Sequence, residues 1–152
     1  MVNAHKISAR VFSYENRGDN EEIILKKLEL LFPFNLEDEK IIVEATKAKG
    51  FSENNITTYE INLLKERHVN KFLYSLSKNL DKEDKMLLIS QAETRLDENY
   101  DFFLRLDKDE FINNERLLAT DSGNCFHIKI SIAAFPKNRQ NALQAVKNIF
   151  ND

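Results

Sequence analysis

Two cations stand at the predicted start of the last helix. Lys137 and Arg139 follow Pro136, and helical spacing of apolar residues continues from there to Phe150. The first turn of a helix disfavours a cation by ~0.3 to 1 kcal/mol, because its unpaired N–H groups already carry partial positive charge. Cations gathered there are typical of a site that binds an anion such as a phosphate. The alternative is that both side chains simply lie in solvent.

A cysteine and a histidine two positions apart form a second candidate. Cys125 and His127 lie on one face of a predicted strand, where a thiol and an imidazole can touch and act as nucleophile and base. The sequence offers no third group to orient the histidine and no oxyanion hole, so a half-buried polar strand face is the better interpretation. We predict no catalytic residue, and we interpret the chain as a binding protein rather than an enzyme.

The spacing of the histidine and carboxylate side chains does not predict a metal site. His5, His68 and His127 lie far apart, and Cys125 is the single cysteine. Carboxylates crowd residues 97–110, but their spacing matches no calcium loop, and a solvated acidic rim explains them better than a divalent-metal hydrolase does. The sequence also has no phosphate-binding glycine loop and no dinucleotide fingerprint, so neither a metal nor another cofactor is predicted.

Period-two alternation places a further set of cations and aromatic rings on one face of a sheet. It is found over residues 5–14, 102–107 and 125–134, and it predicts strands with one core face and one open face. The open-face set is Lys6, Arg10, Phe12, Tyr14, Phe103, Arg105, His127 and Lys129. Rings interleaved with cations suit an unpaired nucleic-acid strand, because bases stack on rings at ~1 to 3 kcal/mol each. The alternative is that a loop or a partner subunit covers the rings.

Further strands complete the predicted sheet. Residues 40–47 and 56–64 are predicted as strands joined by a loop around Gly50. Residues 117–119 are expected to pair with the final strand. The preceding segment, 108–118, fits either a short helix or an irregular connection.

Helical spacing predicts three helices before the fourth strand. The first is capped by Asp19, with Glu22 three residues on as in a capping box, and it ends before Pro33. The second has an apolar stripe that comprises Val69, Phe72, Leu73, Leu76 and Leu80. The third is capped by Asp81 and runs to about Arg95. The order of elements predicts an α+β fold: a two-layer domain with a largely antiparallel sheet and helices packed on one face.

Composition favours one globular domain over residues 1–152. Hydrophobic residues make up 42% and charged residues 31%, which suits a soluble chain with one core. No apolar run approaches the length of a membrane span and no signal-like segment is visible, so a cytoplasmic protein is expected. The net charge of −3 argues against a general nucleic-acid coat protein. Charge is uneven, however, since residues 81–124 are acidic and residues 125–152 are basic.

Two segments resemble a known family. They are LDENYDFFLRLDK (residues 96–108) and FHIKISIAAFPKNRQNAL (residues 126–143). The features in common are Arg95-Leu96-Asp97, the strand end from Leu104 to Lys108, the strand from His127 to Ile130, Ala133 to Pro136, and then Lys137 and Arg139. These segments resemble the archaeal family of RNA-binding proteins and predicted exosome subunits. That family is similar in fold to the large-subunit ribosomal protein that contacts the small ribosomal RNA.

The resemblance implies an RNA-related binding role near the archaeal exosome, with no catalytic residues. We therefore predict a small non-enzymatic RNA-associated protein, with RNA and exosome subunits as partners. The predicted phosphate contacts are Arg105, Lys108, Lys129, Lys137 and Arg139. The further predicted backbone and base contacts are Arg10, Phe12 and Phe103. The alternative is a structural adaptor or homodimerisation module whose open sheet face is buried against a partner.

Overall fold

A computed structural model describes residues 2–49 and 55–151 of the chain, and the loop predicted around Gly50 lies outside them. The strands in these ranges are β1 (Ala4–Tyr14), β2 (Val43–Lys49), β3 (Asn55–Leu63), β4 (Asp101–Asp107) and β5 (Cys125–Ile132). The α-helices are α1 (Glu21–Leu30), α2 (Glu66–Asn79), α3 (Lys82–Ser90), α4 (Ala92–Arg95), α5 (Lys108–Asn114) and α6 (Arg139–Phe150). Residues 108–118, for which the sequence allowed either a short helix or an irregular connection, thus begin with the short helix α5.

The strands form one open antiparallel sheet in the order β2-β3-β1-β5-β4. Helices α1 and α2 pack on β1, and α6 packs on β5, all from the same side. The predicted α+β fold, with a largely antiparallel sheet and helices on one face, is confirmed. None of the helices in the two described ranges is both long enough and apolar enough to cross a membrane.

The core lies between the helices and the face of the sheet that they cover. Every second residue of the central strands points into it, which is the alternation that the sequence shows. The buried strand residues include Ile7, Ala9, Val11, Phe126, Ile128 and Ile130. From the helix layer, the ring of Phe150 lies 5.8 Å from that of Phe102. Each large apolar side chain buried here contributes roughly 1.5 to 3 kcal/mol.

The pairing predicted for residues 117–119 is wrong. They do not pair with β5, because β1 and β4 already occupy both of its edges. Instead Ala119 bridges Leu106 on the outer edge of β4. The N–H of Asp107 donates to the carbonyl of Leu118 (2.8 Å), and the N–H of Thr120 donates to the carbonyl of Arg105 (3.0 Å). Helix α5 turns the chain back and makes this pairing possible.

The predicted starts of β2 and α1 differ from the structure. Strand β2 begins at Val43 rather than at Lys40, because Lys40 adopts a left-handed backbone (φ 58°) in a turn. Helix α1 is capped by Asn20, whose side chain accepts from the N–H of Ile23 (3.2 Å). Asp19 instead accepts from the N–H of Tyr14 (2.8 Å). Both Asp and Asn are good cap residues, so local sequence did not separate them.

The third predicted helix is interrupted at Gln91, which separates α3 from α4. Asp81 occupies the N-cap position of α3 without a side-chain cap bond, and its carboxylate pairs with Arg116 (2.8 Å) instead. The side chain of Gln91 accepts from Nε of Arg95 (2.9 Å). This break carries Arg95 to the outer edge of β4, where it donates to the carbonyl of Phe103 (3.4 Å).

Candidate nucleic-acid interface

The sheet face away from the helices presents cations in rows. Pairing places Arg10 of β1 opposite His127 of β5, and His127 opposite Arg105 of β4. In the adjacent row, Lys129 of β5 lies opposite Phe103 of β4. Side chains at directly opposite positions of antiparallel strands are neighbours on one face. The alternation seen in three separate strands therefore converges on one surface.

This surface contains a shallow hollow of about 660 Å³. The cations and rings that line it are Lys6, Arg10, Phe103, Arg105, His127 and Lys129. We call this hollow and its lining the open-face hollow. All of the predicted open-face side chains except Phe12 and Tyr14 belong to it.

The aromatic rings of this face differ in what they contact. Phe12 meets the imidazole of His127 edge-on, with ring centroids 5.6 Å apart, and the guanidinium of Arg10 lies 5.3 Å from its centroid. The Tyr14 ring is covered by the guanidinium of Arg17 at 4.1 Å. Phe103, by contrast, is 43% exposed. It is the ring of the open-face hollow that a ligand can reach.

Three of the cations in the open-face hollow are not held in ion pairs. Lys6, Arg10 and Lys129 make no ion pair with any residue in the described ranges. Arg105 donates to the backbone carbonyl of Asp121 (2.9 Å), an uncharged partner. These cations therefore keep their charge at the surface without an ion pair, although the carboxylate-bearing Glu60 of β3 lies directly opposite Arg10.

Acidic side chains also line the open-face hollow, and each of them accepts hydrogen bonds from neighbouring groups of the protein. The carboxylate of Asp97 accepts from the N–H groups of Asn99 and Asp101, both at 2.9 Å. That of Asp101 accepts from the hydroxyl of Ser131 (2.7 Å), and that of Glu60 accepts from the amide of Asn62 (3.0 Å). With these acids close by, the positive field of the hollow is local and moderate.

The histidine and the cysteine of β5 have shifted pKa values. Burial lowers the pKa of His127, and the cations Arg10 and Arg105 lower it further, so the imidazole is neutral at neutral pH. Burial raises the pKa of the Cys125 thiol, whose Sγ lies 3.6 Å from Nε2 of His127. A buried thiol with a raised pKa is a poor nucleophile. The pair fits a polar strand face better than a nucleophile and its base.

Lys108 lies in the interior rather than at the surface. It is 3% exposed, and its ammonium donates to the carbonyl of Phe12 (2.7 Å) and to the carboxylate of Asp19 (2.9 Å). The Tyr14 ring centroid lies 5.4 Å away. Oxygens of the chain itself occupy the position at which we expected a phosphate. We therefore leave Lys108 out of the candidate interface.

Arg139 is likewise bound by the protein. Its guanidinium donates to the carbonyls of Glu93 (2.6 Å), Leu96 (3.0 Å) and Asp97 (3.4 Å), and Nε contacts the carboxylate of Glu93 (3.2 Å). These carbonyls end helix α4, where a cation is favourable. Helix α6 is capped by Asn138, which accepts from the N–H of Asn141 (2.8 Å). Internal contacts thus replace the anion site expected at the start of α6.

The remaining cation, Lys137, lies outside the open-face hollow. Its Nζ is 5.9 Å from the ring centroid of Tyr100, the residue before β4. The structure therefore brings together Arg10, Phe103, Arg105 and Lys129 from the predicted contacts. It separates Lys137 from them, buries Lys108, and engages Arg139 with backbone carbonyls of the chain itself.

A second hollow was not visible from the sequence. It has a volume of about 390 Å³, lies beyond the outer edge of β4, and is lined by Gln91, Thr94, Arg95, Phe103, Arg105 and Asp121. Periodicity gave no signal for it, because it depends on the helix break at Gln91. No group of three or more His, Cys, Asp or Glu side chains that could hold a metal ion occurs within residues 2–49 and 55–151.

The fold defines the class: an α+β domain whose antiparallel sheet is covered by helices on one face and presents cations on the other. A family model described as "RNA binding" matches residues 6–133. This match covers most of the chain, and the chain belongs to this RNA-binding family.

Archaeal relatives match along almost the whole chain. An RNA-binding protein of Pyrococcus abyssi is 29% identical over 146 residues, covering 96% of this chain and 93% of the relative. An uncharacterised protein of Methanocaldococcus jannaschii is 27% identical over 155 residues, covering 96% and 95%.

Solved structures show the same fold. A DUF54 protein of Methanothermobacter thermautotrophicus superposes with a TM-score of 0.77 at 25% identity, covering 98% of this chain and 99% of that one. A protein of Archaeoglobus fulgidus gives a TM-score of 0.82 at 21% identity, covering 96% and 99%. At that lower identity the likeness establishes the fold alone.

Proposed function

We propose that the protein is a small non-enzymatic RNA-binding protein that holds RNA phosphates against the open-face hollow. Arg10, Arg105 and Lys129 make the main contacts. The observation that carries this proposal is the strand register, which gathers these cations beside the exposed ring of Phe103. Membership of the RNA-binding family supports RNA as the ligand class.

The charge distribution sets the expected strength of binding. The chain carries a net charge of −3, so long-range attraction to RNA is absent and the contacts are local. Three phosphate contacts on a single strand release counterions with a slope of log affinity against log salt of about −2. A moderate slope therefore distinguishes this surface from an extended basic groove, for which the slope is steeper.

The first test is fluorescence anisotropy of a labelled RNA oligonucleotide across a salt series. We expect measurable affinity at low salt and a slope near −2. A flat salt response, or no binding at low salt, overturns the proposal.

A matched pair of charge reversals locates the surface. Lys129→Glu changes the open face, whereas Lys71→Glu makes the same change in net charge on the exposed side of α2, in the opposite layer. We expect Lys129→Glu to weaken RNA binding and to reduce the salt slope by about 0.7, the share of one phosphate contact. Equal effects of the two variants would show that binding does not depend on this face.

The exposed ring of Phe103 also fits the alternative of a homodimer formed through the open face. Analytical ultracentrifugation at micromolar concentration separates the two. RNA binding by the open face requires that this face is not buried in a dimer. A dimer that dissociates in Phe103→Asp would favour the adaptor function instead.

The resemblance of residues 96–108 and 126–143 to predicted exosome subunits supports a finer proposal: the protein is a cytoplasmic accessory of the archaeal exosome, with a fold like that of the ribosomal protein. Affinity capture with reconstituted exosome, with and without ribonuclease, tests it. Capture that survives ribonuclease indicates direct contact, and the absence of any capture contradicts the accessory role.

A further inference from the structure

Strand β4 forms a ridge between two hollows. Phe103 and Arg105 line both the open-face hollow and the second hollow beyond β4. β4 is the last strand of the sheet, so the ridge is also the rim of the open face. A chain-like ligand that crosses this rim stays in contact with the protein on both sides.

Two guanidinium groups line the second hollow, that of Arg95 and that of Arg105, which also lines the open-face hollow. Arg95 contacts the carboxylate of Asp121 at 3.3 Å, and Arg105 donates to the backbone carbonyl of the same residue at 2.9 Å. The Asp121 side chain is 91% exposed, so its attraction for Arg95 is screened by water. Nε and one amino group of Arg95 are held by the Gln91 side chain and the Phe103 carbonyl, and the side chain is 14% exposed. Its other amino group, which faces Asp121, is the part that a phosphate can reach.

The Phe103 ring stands on the rim between the two sets of cations. Unlike Phe12 and Tyr14, it has no aromatic or cationic side chain over it among the described residues. An unpaired base can stack on such a ring. In an RNA duplex the faces of the bases are already stacked, so a duplex presents only its backbone and groove edges.

We infer that the ligand is an unpaired RNA strand that crosses β4, with one base stacked on Phe103. Its phosphates contact Arg10 and Lys129 on the open face, and Arg95 in the second hollow. This inference rests on the proposed RNA-binding function. It adds the strandedness of the RNA, the role of Phe103 and the path beyond the sheet.

The strandedness is tested by anisotropy with a labelled RNA about 12 nucleotides long, alone and annealed to its complement. We expect the single strand to bind more tightly than the duplex. Phe103→Leu should weaken single-strand binding by about fivefold to a hundredfold, the equivalent of one lost base stack, and leave duplex binding unchanged. Phe103→Trp should retain single-strand binding.

Tyr74→Ala is the control for the loss of an exposed ring, since Tyr74 is 67% exposed on α2 in the opposite layer. It should not change RNA affinity. Circular dichroism of each variant verifies that the fold is intact. Because Phe103→Trp keeps a stacking ring at the same position, it separates loss of stacking from loss of folding.

The path beyond the sheet is tested by a second matched pair. Thr94→Glu places a negative charge in the second hollow, whereas Gln144→Glu places the same charge on the exposed side of α6. Thr94→Glu should weaken single-strand binding several-fold, and Gln144→Glu should not. Equal effects of the two variants overturn the path across β4.

The outcomes separate this inference from the function on which it rests. If single strand and duplex bind equally and Phe103→Leu has no effect, the inference is wrong and the proposed function stands. If neither RNA binds, the proposed function itself is wrong. If single-strand binding falls in Phe103→Leu and Thr94→Glu but not in their controls, both are supported.

Discussion

Lys108 shows a basic side chain that serves the fold. A lysine ammonium that is 3% exposed requires oxygen partners, because an isolated charge in the interior is very costly. The carbonyl of Phe12 and the carboxylate of Asp19 supply them. Burial raises the pKa of Asp19, but the N–H of Tyr14 and the ammonium of Lys108 outweigh it, so the net pKa is lowered. The carboxylate therefore stays charged opposite its partner.

Removal of this ammonium should destabilise the protein without affecting RNA binding. We expect Lys108→Met to lower the free energy of unfolding by about 2 kcal/mol or more, because the Asp19 carboxylate loses its charged partner. Urea denaturation measures the change, and Lys26→Met, at an exposed position of α1, is the control. A loss of RNA affinity at unchanged stability would instead place Lys108 in the interface.

His127 should make RNA binding sensitive to pH. Its pKa is lowered by burial and then by Arg10 and Arg105, so it gains a proton only as the pH falls below the ordinary histidine range. Protonation adds a positive charge to the middle of the cation row. We expect RNA affinity to rise as the pH falls below about 6.5 in the wild type, and to rise less in His127→Gln. Equal rises in both proteins would assign the effect to other groups.

Secondary structure was largely predictable because the patterns are local. Alternation identified the main strands, and helical spacing identified the apolar stripes of α2 and α6. The boundaries that differed depend on contacts between residues distant in sequence, or on which of two adjacent residues with similar capping preference forms the cap. Residues 117–119 pair with β4 only because α5 reverses the chain. The cap of α1 is Asn20, because the carboxylate of the neighbouring Asp19 is bound by Lys108.

Arg139 links two of these elements. Three backbone carbonyls at the end of α4 converge on its guanidinium, so α4 and α6 are joined by one side chain. Sequence spacing placed this cation at the start of α6. It did not reveal the partners, which lie 42 to 46 residues earlier in the chain.

Arg139→Lys should weaken this link while retaining the charge. A lysine cannot reach three carbonyls in a fixed fork, so we expect a loss of about 1 to 2 kcal/mol in the free energy of unfolding. Lys137→Gln, at a neighbouring exposed cation, should change it by less than about 0.5 kcal/mol. Chemical denaturation of the two variants compares them. An unchanged stability in Arg139→Lys would show that the carbonyl contacts contribute little.

At the scale of the whole molecule, the helix layer closes one side of the sheet and leaves the other exposed. Alternation was enough to predict which cations share the open side. It was not enough to predict which cations are available, because Lys108 and Asp19 are 89 residues apart in sequence and meet only in the folded chain. Thus the sequence predicted which cations share the open face of the sheet, but not which cations are bound by other parts of the chain.

The single cysteine reports on the stability of the whole molecule and on binding. Cys125 is 2% exposed, so its thiol should react with a labelling reagent only when β5 opens. RNA that binds only the folded state should slow this reaction by about a hundredfold at a hundred times the dissociation constant. The wild type should show this protection, and Lys129→Glu should show less of it at the same RNA concentration. Rapid labelling of the native protein would reveal local opening of β5.

The two margins of the sheet are unlike. Leu118 and Thr120 bond to the outer margin of β4, whereas residues 44–49 of β2 are exposed and carry Lys47 and Lys49. Backbone groups available for joining another sheet are thus concentrated on one margin of the described chain. If two copies paired through their β2 strands, neither copy would have an unpaired β2 edge left. Lysines at the junction would also repel each other. Pairing through β2 would therefore end at two copies, because neither copy would keep a second uncovered margin of this kind.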